Sequence, residues 1–199
     1  MQKRTQLIFA TNNRHKVEEI SQLLSSFQIS VRSLNDFPKM PKTIEDEPTL
    51  EGNAIKKARE AFETLGILTL ADDTGLECYY LELKPGVLSA RYSGENATYE
   101  ENNAKLLHAL KGVPPRRRTA RFRSVIAIVG NNIQQVVEGR MEGAIAEAPR
   151  GSNGFGYDPL FMPRGSKMTY AEMSLDEKNK VSHRAAALAK AVEVLRGIK

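Results

Sequence analysis

The sequence of 199 residues contains one cysteine, Cys78. A single cysteine cannot form an internal disulfide, and it excludes a zinc site built from several cysteines. Cys78 lies in a strand-like run without the neighbours that activate a thiol, so we expect it in the core. This cysteine usage agrees with a reducing compartment.

Long apolar runs are also missing. The first apolar run covers only residues 7–10, which is too short for the core of a signal peptide, and no later stretch is long enough to cross a bilayer. Hydrophobic residues make up 41% and charged residues 27%, as in ordinary globular proteins. We therefore expect a cytoplasmic protein with no membrane partner.

Several common motifs are absent. No Gly-x-x-x-x-Gly-Lys-[Ser/Thr] occurs, which excludes a P-loop, and no Gly-x-Ser-x-Gly supports a serine hydrolase. The glycines from Gly151 follow the order Gly-x-x-Gly-x-Gly, which is wrong for a dinucleotide fingerprint. Internal repeats and low-complexity linkers are missing too.

The formal net charge of +5 and the pI near 9.3 favour anionic partners. The densest basic cluster comprises residues 116–118 with Arg121 and Arg123. It indicates either nucleic-acid binding or a solvated turn that leads into a strand with an arginine-bearing face. We favour the second interpretation because no series of aromatic residues is interleaved with the arginines, and we expect no stable nucleic-acid partner.

The periodicity predicts a mixed α/β fold. A strand over 7–10 is followed by a helix from about Asn13, and Thr49 is expected to cap a second helix that Gly66 closes. Capping boxes at Thr98 and Ser174 open two more helices, and Ser182 is expected to cap the terminal one. Residues 120–129 and 133–139 are typical of a hairpin.

Two acids, Asp72 and Asp73, follow a short apolar strand predicted over 67–70. Because Asp and Gly are poor strand residues, we expect the chain to leave the sheet at these acids, where open α/β sheets usually bind ligands. Neighbouring carboxylates need a positive partner, and Mg²⁺ is one candidate. The alternative is an ordinary turn with solvated acids.

Three further segments have candidate ligand groups. The loop over 11–16 offers a hydroxyl, amides, N–H groups at a helix start and a lysine, which together suit phosphate. Phe155 and Tyr157, held on glycines, would make a stacking face for a base beside Asp158, or a hydrophobic turn that plugs the core. His183 and Arg184 would donate to base carbonyls, or form an exposed cap.

Six motifs occur together in one order. They are Thr11-Asn12-Asn13-x-x-Lys16, Glu51-Gly52-Asn53-Ala54-x-x-Lys57-Ala58, Ala71-Asp72-Asp73-Thr74-Gly75-Leu76, Pro85-Gly86-Val87-x-Ser89-Ala90-Arg91-Tyr92, Gly154-Phe155-Gly156-Tyr157-Asp158-Pro159 and Ser182-His183-Arg184. In combination they resemble the inosine triphosphate pyrophosphatase family over nearly the whole chain. The departures are few: Thr74 replaces a frequent serine, and Gly52 a frequent glutamate.

The resemblance implies hydrolysis of dITP, ITP and XTP to the monophosphate and pyrophosphate, with Mg²⁺ as cofactor. It implies one domain over 1–199, with two lobes around a long curved central sheet flanked by helices and the active site in the cleft between them. It also implies a homodimer. Enzymes that act on other modified or pyrimidine nucleotides, and a basic nucleic-acid-binding protein, are the alternatives.

The resemblance also implies roles for particular residues. Asp73 matches the general base and, with Glu45, the metal ligands, and Asp72 is a candidate to share the cation. The positions that match triphosphate binding are Thr11, Asn12, Asn13, Arg14, His15, Lys16, Lys57 and Thr74. The positions that match nucleoside binding are Phe155, Gly156, Tyr157, Asp158, Lys178, His183 and Arg184.

Overall fold

The computed structural model describes residues 5–25, 27 and 29–198. Its strands are β1 (Thr5–Phe9), β2 (Ile29–Ser33), β3 (Thr69–Cys78), β4 (Pro85–Gly86), β5 (Thr119–Gly130), β6 (Ile133–Ile145) and β7 (Phe161–Pro163). Its α-helices are α1 (Arg14–Leu24), α2 (Leu50–Leu65), α3 (Tyr99–Ala109), α4 (Leu175–Val181) and α5 (His183–Gly197). The predicted mixed α/β fold is confirmed.

The strands form one sheet in the order β2-β1-β3-β5-β6-β7, and β4 pairs with β3. β1 is parallel to both of its neighbours: Leu7 lies opposite Val31 of β2, and Phe9 lies opposite Leu70 of β3. β4 and β7 are antiparallel to the strands that they pair with. The sheet is therefore parallel at the β2-β1-β3 side, as expected for strand-helix-strand units.

The chain divides into two compact units. The first holds the described residues of Met1–Asp73, Ser124–Gly139 and Arg184–Lys199, and the second holds Thr74–Arg123 and Arg140–His183. Each has its own apolar core. The first packs β1 and the buried faces of α1 and α5 around Leu70 and Ile126, and the second packs α3 around Phe122 and Phe161.

The predicted helix starts are confirmed by cap geometry. Asn13 caps α1 by accepting hydrogen bonds from two backbone N–H groups, and Thr49 caps α2, which ends at Gly66 in the left-handed conformation. The capping boxes at Thr98 and Ser174 are both present. These local signals set where α1 and α2 begin, and the two helices hold Lys16 and Lys57.

The expectation that the chain leaves the sheet at the acids is wrong. β3 continues through Asp72 and Asp73 to Cys78, whereas its neighbour β1 ends at Phe9. Ion pairs override the low strand propensity of aspartate here, because each carboxylate has a cation beside it. The acids therefore lie just beyond the carboxyl end of β1, within a continuous strand.

Among the helices of the described residues, none is both long and apolar enough to cross a membrane.

Candidate functional site

Asp72 lies in a buried network of charges in the first unit. Its side chain is 1% exposed, and one oxygen lies 2.7 Å from Lys16 Nζ and 3.3 Å from a terminal nitrogen of Arg184. The other oxygen accepts a hydrogen bond from the Ser124 hydroxyl. Arg184 also pairs with the buried Glu19 of α1. A buried carboxylate with this many partners is a fixed structural anion.

Asp73 faces a different lysine. Lys57 Nζ, on α2, donates to Asp73 Oδ1 at 2.7 Å, to Glu45 Oε1 at 2.8 Å and to the backbone oxygen of Asp72 at 3.0 Å. The ammonium group has three N–H donors, and all three are used. One cation thus holds two carboxylates from distant parts of the chain at one point.

The two aspartates differ in pKa. Burial alone would raise the pKa of Asp72, but Lys16 and Arg184 outweigh it and hold that pKa far below its usual range. Burial raises the pKa of Asp73, and the opposing attraction of Lys57 and Lys16 does not cancel this effect. Asp73 is therefore the more basic carboxylate of the pair, as a proton acceptor needs to be.

Lys57 stays protonated in this setting. Burial alone would lower its pKa, but Asp73 and Glu45 more than compensate, so the pKa is raised. The positive charge of Lys57 is therefore retained at neutral pH.

The predicted phosphate loop forms the start of α1. Asn13 accepts from the N–H groups of His15 and Lys16, and its own N–H donates to Thr11 Oγ1 at 3.1 Å. Asn12, Arg14 and His15 are exposed, whereas Lys16 reaches Asp72. The loop therefore brings Lys16 to the acid pair, and exposed polar groups stand beside it.

The predicted metal ligands, Asp73 and Glu45, fit a hard cation. Their oxygens meet at Lys57 Nζ, so two carboxylates already converge on one positive charge. Mg²⁺ is usually held by one or two carboxylates together with substrate phosphates and water. Within the described residues, no group of three or more His, Cys, Asp or Glu side chains is arranged to hold a metal. The remaining ligands would therefore come from a nucleotide and water.

The glycine-rich loop belongs to the second unit. Asp158 Oδ2 accepts from the Phe155 N–H at 2.9 Å and from Lys178 Nζ at 2.5 Å, and Lys178 also lies 5.0 Å from the centre of the Phe155 ring. Gly154 and Gly156 have positive φ angles, and a Cβ at Gly154 would lie 2.1 Å from the Asp158 carboxylate. The loop thus presents Phe155, half-buried, beside an ammonium group.

Of the two interpretations of the glycine-rich loop, the stacking face does not hold for Tyr157. Its ring is buried in the core of the second unit, and its hydroxyl donates to the backbone oxygen of Ser89 at 2.9 Å. Burial raises the pKa of this hydroxyl. Tyr157 therefore anchors the loop, and the alternative of a hydrophobic turn that plugs the core describes Tyr157 but not Phe155.

His183 and Arg184 form no exposed cap. The His183 ring is buried and stacks on Phe122 with 4.5 Å between ring centres. Arg184 is 1% exposed, and its guanidinium is enclosed by Glu19 and Asp72 of the first unit. A buried guanidinium needs such carboxylates, which explains its position. Thr74, the next residue after Asp73, is half-buried in β3.

The arginine cluster is largely occupied by internal contacts of the second unit. Arg118 is buried and donates to the backbone oxygens of Leu110, Ile145 and Ala146. Arg121 and Arg123 both pair with Glu77, at 2.6 and 3.1 Å. These contacts favour a structural role for the cluster over nucleic-acid binding.

Two residues of the charge network were not predicted from the sequence. Glu19 lies on the buried face of α1, between Val17 and Ile20. A charged residue among these apolar positions was the signal from which a buried ion pair could have been predicted. In β5, the residues two positions before and after Ser124 are apolar, and no feature of the sequence indicated its contact with Asp72.

Comparison with known proteins is consistent with the motifs. The dITP/XTP pyrophosphatase of Desulforamulus reducens is 49% identical over 190 residues, covering 95% of this chain and 94% of that protein. The dITP/XTP pyrophosphatase of Geobacter sulfurreducens is 48% identical over 186 residues, covering 93% and 94%.

Solved structures also resemble the chain. A HAM1 protein from Coxiella burnetii matches with a TM-score of 0.86 and 39% identity, over 96% of this chain and 98% of that one. The Staphylococcus aureus Ham1 protein matches with a TM-score of 0.85 and 34% identity, over 98% and 100%. The Ham1 family model matches residues 7–194. The family resemblance predicted from six motifs is thus confirmed, and the chain belongs to the Ham1 family.

Proposed function

We propose that this chain hydrolyses dITP, ITP and XTP to the nucleoside monophosphate and pyrophosphate, and so keeps deaminated purine nucleotides out of DNA and RNA. Relatives named dITP/XTP pyrophosphatase, with near-complete coverage, support the substrate class. The structural observation that carries the proposal is the buried Lys57, which holds Asp73 and Glu45 together. This arrangement has the charge pattern that a pyrophosphohydrolase needs.

The first requirement is to neutralise the substrate. A nucleoside triphosphate has about four negative charges at neutral pH, and these repel an attacking water. Lys16 and Lys57 are two cations beside the acid pair, and the start of α1 adds N–H groups that bind anions. Stabilising the charge that develops during the attack is where most of the rate enhancement is expected.

Asp73 and Glu45 would hold Mg²⁺, because their oxygens already converge on one positive charge. When bound, the ion supplies further charge neutralisation at the phosphates. Asp73 orients a water molecule and accepts its proton. Asp72, paired with Lys16 and Arg184, keeps its charge and positions Lys16.

The base is selected in the second unit. The half-buried Phe155 offers a ring on which a purine can stack, and Lys178 beside it is a donor for a carbonyl oxygen. Hypoxanthine and xanthine have a carbonyl at position 6, where adenine has an amino group that cannot accept a hydrogen bond. ATP would therefore leave a donor unpaired, which makes it a poor substrate.

A cytoplasmic location and a homodimer complete the proposal. The single cysteine and the absence of a spanning helix in the described residues agree with the first. The second follows the family resemblance alone and is measured directly by light scattering of the purified chain.

The substrate proposal is tested with a panel of nucleotides at saturating Mg²⁺. We expect dITP, ITP and XTP to be turned over at least tenfold faster than ATP, in line with the discrimination that unpaired polar groups provide. GTP shares the carbonyl at position 6, so its turnover measures whether the site also excludes the 2-amino group. Preference for a methylated or pyrimidine nucleotide would support the alternative enzyme class. Equal use of all nucleotides would contradict the proposed base selection.

A further inference from the structure

An acidic segment over residues 43–47 lies along α2 in the first unit. Thr43 Oγ1 donates to Glu60 Oε2 at 2.6 Å, Lys57 Nζ to Glu45 at 2.8 Å and Lys56 Nζ to Asp46 at 2.5 Å, and Asn53 binds the backbone of Glu47. The residue numbers of the contacted positions in α2 fall from 60 to 53 as the residue numbers in the segment rise from 43 to 47. The segment therefore runs antiparallel to α2. Its central member, Glu45, is a predicted metal ligand.

Asn53 makes the most specific of these contacts. Its Oδ1 accepts from the Glu47 N–H at 3.1 Å, and its Nδ2 donates to the Glu47 backbone oxygen at 3.4 Å. One side chain thus satisfies both hydrogen-bonding groups of one residue, because a carboxamide has a donor and an acceptor side by side. Asn53 is 1% exposed, so water does not compete at this contact.

Gly52 permits the close approach of the segment to the helix. A Cβ at position 52 would lie 2.8 Å from the Cβ of Glu47, which is closer than two such carbons can stand. The absence of a side chain at Gly52 therefore lets Glu47 reach Asn53. Gly52 and Asn53 act together as one clamp on the Glu47 backbone.

The other contacts of the segment hold it less firmly. Asp46 and Lys56 form an ion pair at the surface, and such pairs contribute little because water screens them. Thr43 lies at the far end of the segment, two residues before Glu45. The Glu47 contacts lie two residues after Glu45, and both fix the backbone rather than a side chain.

We propose that Asn53 is a positioning residue for the acidic site that Asp73 and Glu45 form around Lys57. By fixing the Glu47 backbone, it holds the Glu45 carboxylate against Lys57 and Asp73. For its activity readout this inference rests on the proposed function, but the clamp itself can be tested without any ligand. The competing role is simpler: Asn53 satisfies buried backbone groups and stabilises the fold, with no influence on Glu45.

The first test is hydrogen exchange on the ligand-free protein. In Asn53→Ala, the peptide that contains the Glu47 amide should exchange on the order of tenfold faster, the change expected when about one net hydrogen bond is lost. Lys56→Ala is the matched control and should leave this peptide unchanged. Unchanged exchange in Asn53→Ala would overturn the clamp, whatever the enzyme does.

The second test is a double-mutant cycle on ITP turnover. Asn53→Ala and Glu45→Gln should each lower kcat/KM by tenfold or more, and the double variant should be no worse than Glu45→Gln alone, because both changes act through one carboxylate. If the two losses in kcat/KM multiply in the double variant, the positioning role is overturned. It is also overturned if Glu45→Gln keeps wild-type turnover.

Gly52→Ala tests the close approach directly. Alanine favours a helix over glycine by roughly 0.5–1 kcal/mol, but its Cβ would meet the Cβ of Glu47 at 2.8 Å and this clash opposes the gain, so Tm is measured beside turnover. Turnover should still fall several-fold, because the added methyl displaces Glu47. A variant with full activity would contradict the clamp. Inactivity of the wild-type chain on every purine triphosphate would instead overturn the proposed function and leave the exchange result standing.

Discussion

Lys57 Nζ lies 2.7 Å from Asp73 Oδ1, and this contact joins α2 to the acid pair of β3. The same nitrogen lies 2.8 Å from Glu45. One carboxylate on a strand and one from an extended segment therefore share one buried cation. The chemistry proposed for the chain depends on this relationship.

Asp73→Asn should abolish most of the activity without unfolding the protein. The amide is isosteric but cannot accept a proton, so kcat for ITP should fall by about 10²–10⁴-fold. Steady-state turnover at saturating Mg²⁺, with Tm measured alongside, checks this. Asp46→Asn, at an exposed ion pair, is the control. An Asp73→Asn variant that keeps near-wild-type turnover would disprove the assigned base.

Lys57 and Lys56 are adjacent lysines that offer a matched comparison. Lys57 is buried between carboxylates, whereas Lys56 pairs with the exposed Asp46. We expect Lys57→Ala to lower kcat/KM for ITP by at least tenfold, because it removes a charge that neutralises phosphate. Lys56→Ala should stay within about twofold of the wild type, as for an exposed ion pair. Equal effects of the two changes would contradict the site.

Phe155→Ala should weaken nucleotide binding. Stacking of a base on an aromatic ring contributes about 1–3 kcal/mol, so KM for ITP should rise roughly five- to hundredfold while kcat changes less. The ring is half-buried and lies outside the core, which limits the loss of stability. Tyr80→Ala, at an exposed tyrosine beside Arg117, controls for removal of an aromatic residue. An unchanged KM in Phe155→Ala would remove the ring from the base site.

Asp72 should contribute stability that depends on pH. Its folded-state pKa lies below the unfolded value of about 3.9, so the contribution is fully present above that pH and is lost as the pH falls. At pH 7, Asp72→Asn should lower the free energy of unfolding by about 3–5 kcal/mol, the usual cost of breaking a buried ion pair. Urea titrations should show that the difference in free energy of unfolding between variant and wild type becomes smaller below about pH 4. A difference in free energy of unfolding that does not depend on pH would contradict this role of Asp72.

Cys78 should be inert in the folded protein. Burial raises the pKa of its thiol to about 12, despite the nearby Arg118, so almost no thiolate is present at neutral pH. Ellman's reagent should react with one thiol per chain in denaturant and with none in buffer. Rapid reaction of the native protein would show that the core of the second unit opens readily.

The helices could be predicted well from the sequence because their signals are local. Caps at Asn13, Thr49 and Thr98 and the stop at Gly66 are short-range hydrogen-bonding or backbone effects, and the structure has them where the pattern places them. The course of β3 through Asp72 could not be predicted, because it depends on Lys16 and Arg184, which lie far away along the chain.

The candidate site shows the same division. The structure brings Lys16 and Lys57 to the acids of β3, and their roles in triphosphate binding stay predictions. The burial of Tyr157 and the enclosure of Arg184 by Glu19 were missed, because a motif specifies residue types but not the direction of each side chain. A buried partner such as Glu19 is visible only once α1 is packed.

The proposed pyrophosphohydrolase activity is tested most directly by hydrolysis of ITP in ¹⁸O-labelled water with Mg²⁺. Attack of water on the α-phosphorus predicts IMP and pyrophosphate as the products, with the label in IMP. Orthophosphate as the product would contradict a pyrophosphohydrolase. Label in pyrophosphate would show attack at the β-phosphorus, and the proposed position of the nucleophilic water would then be wrong.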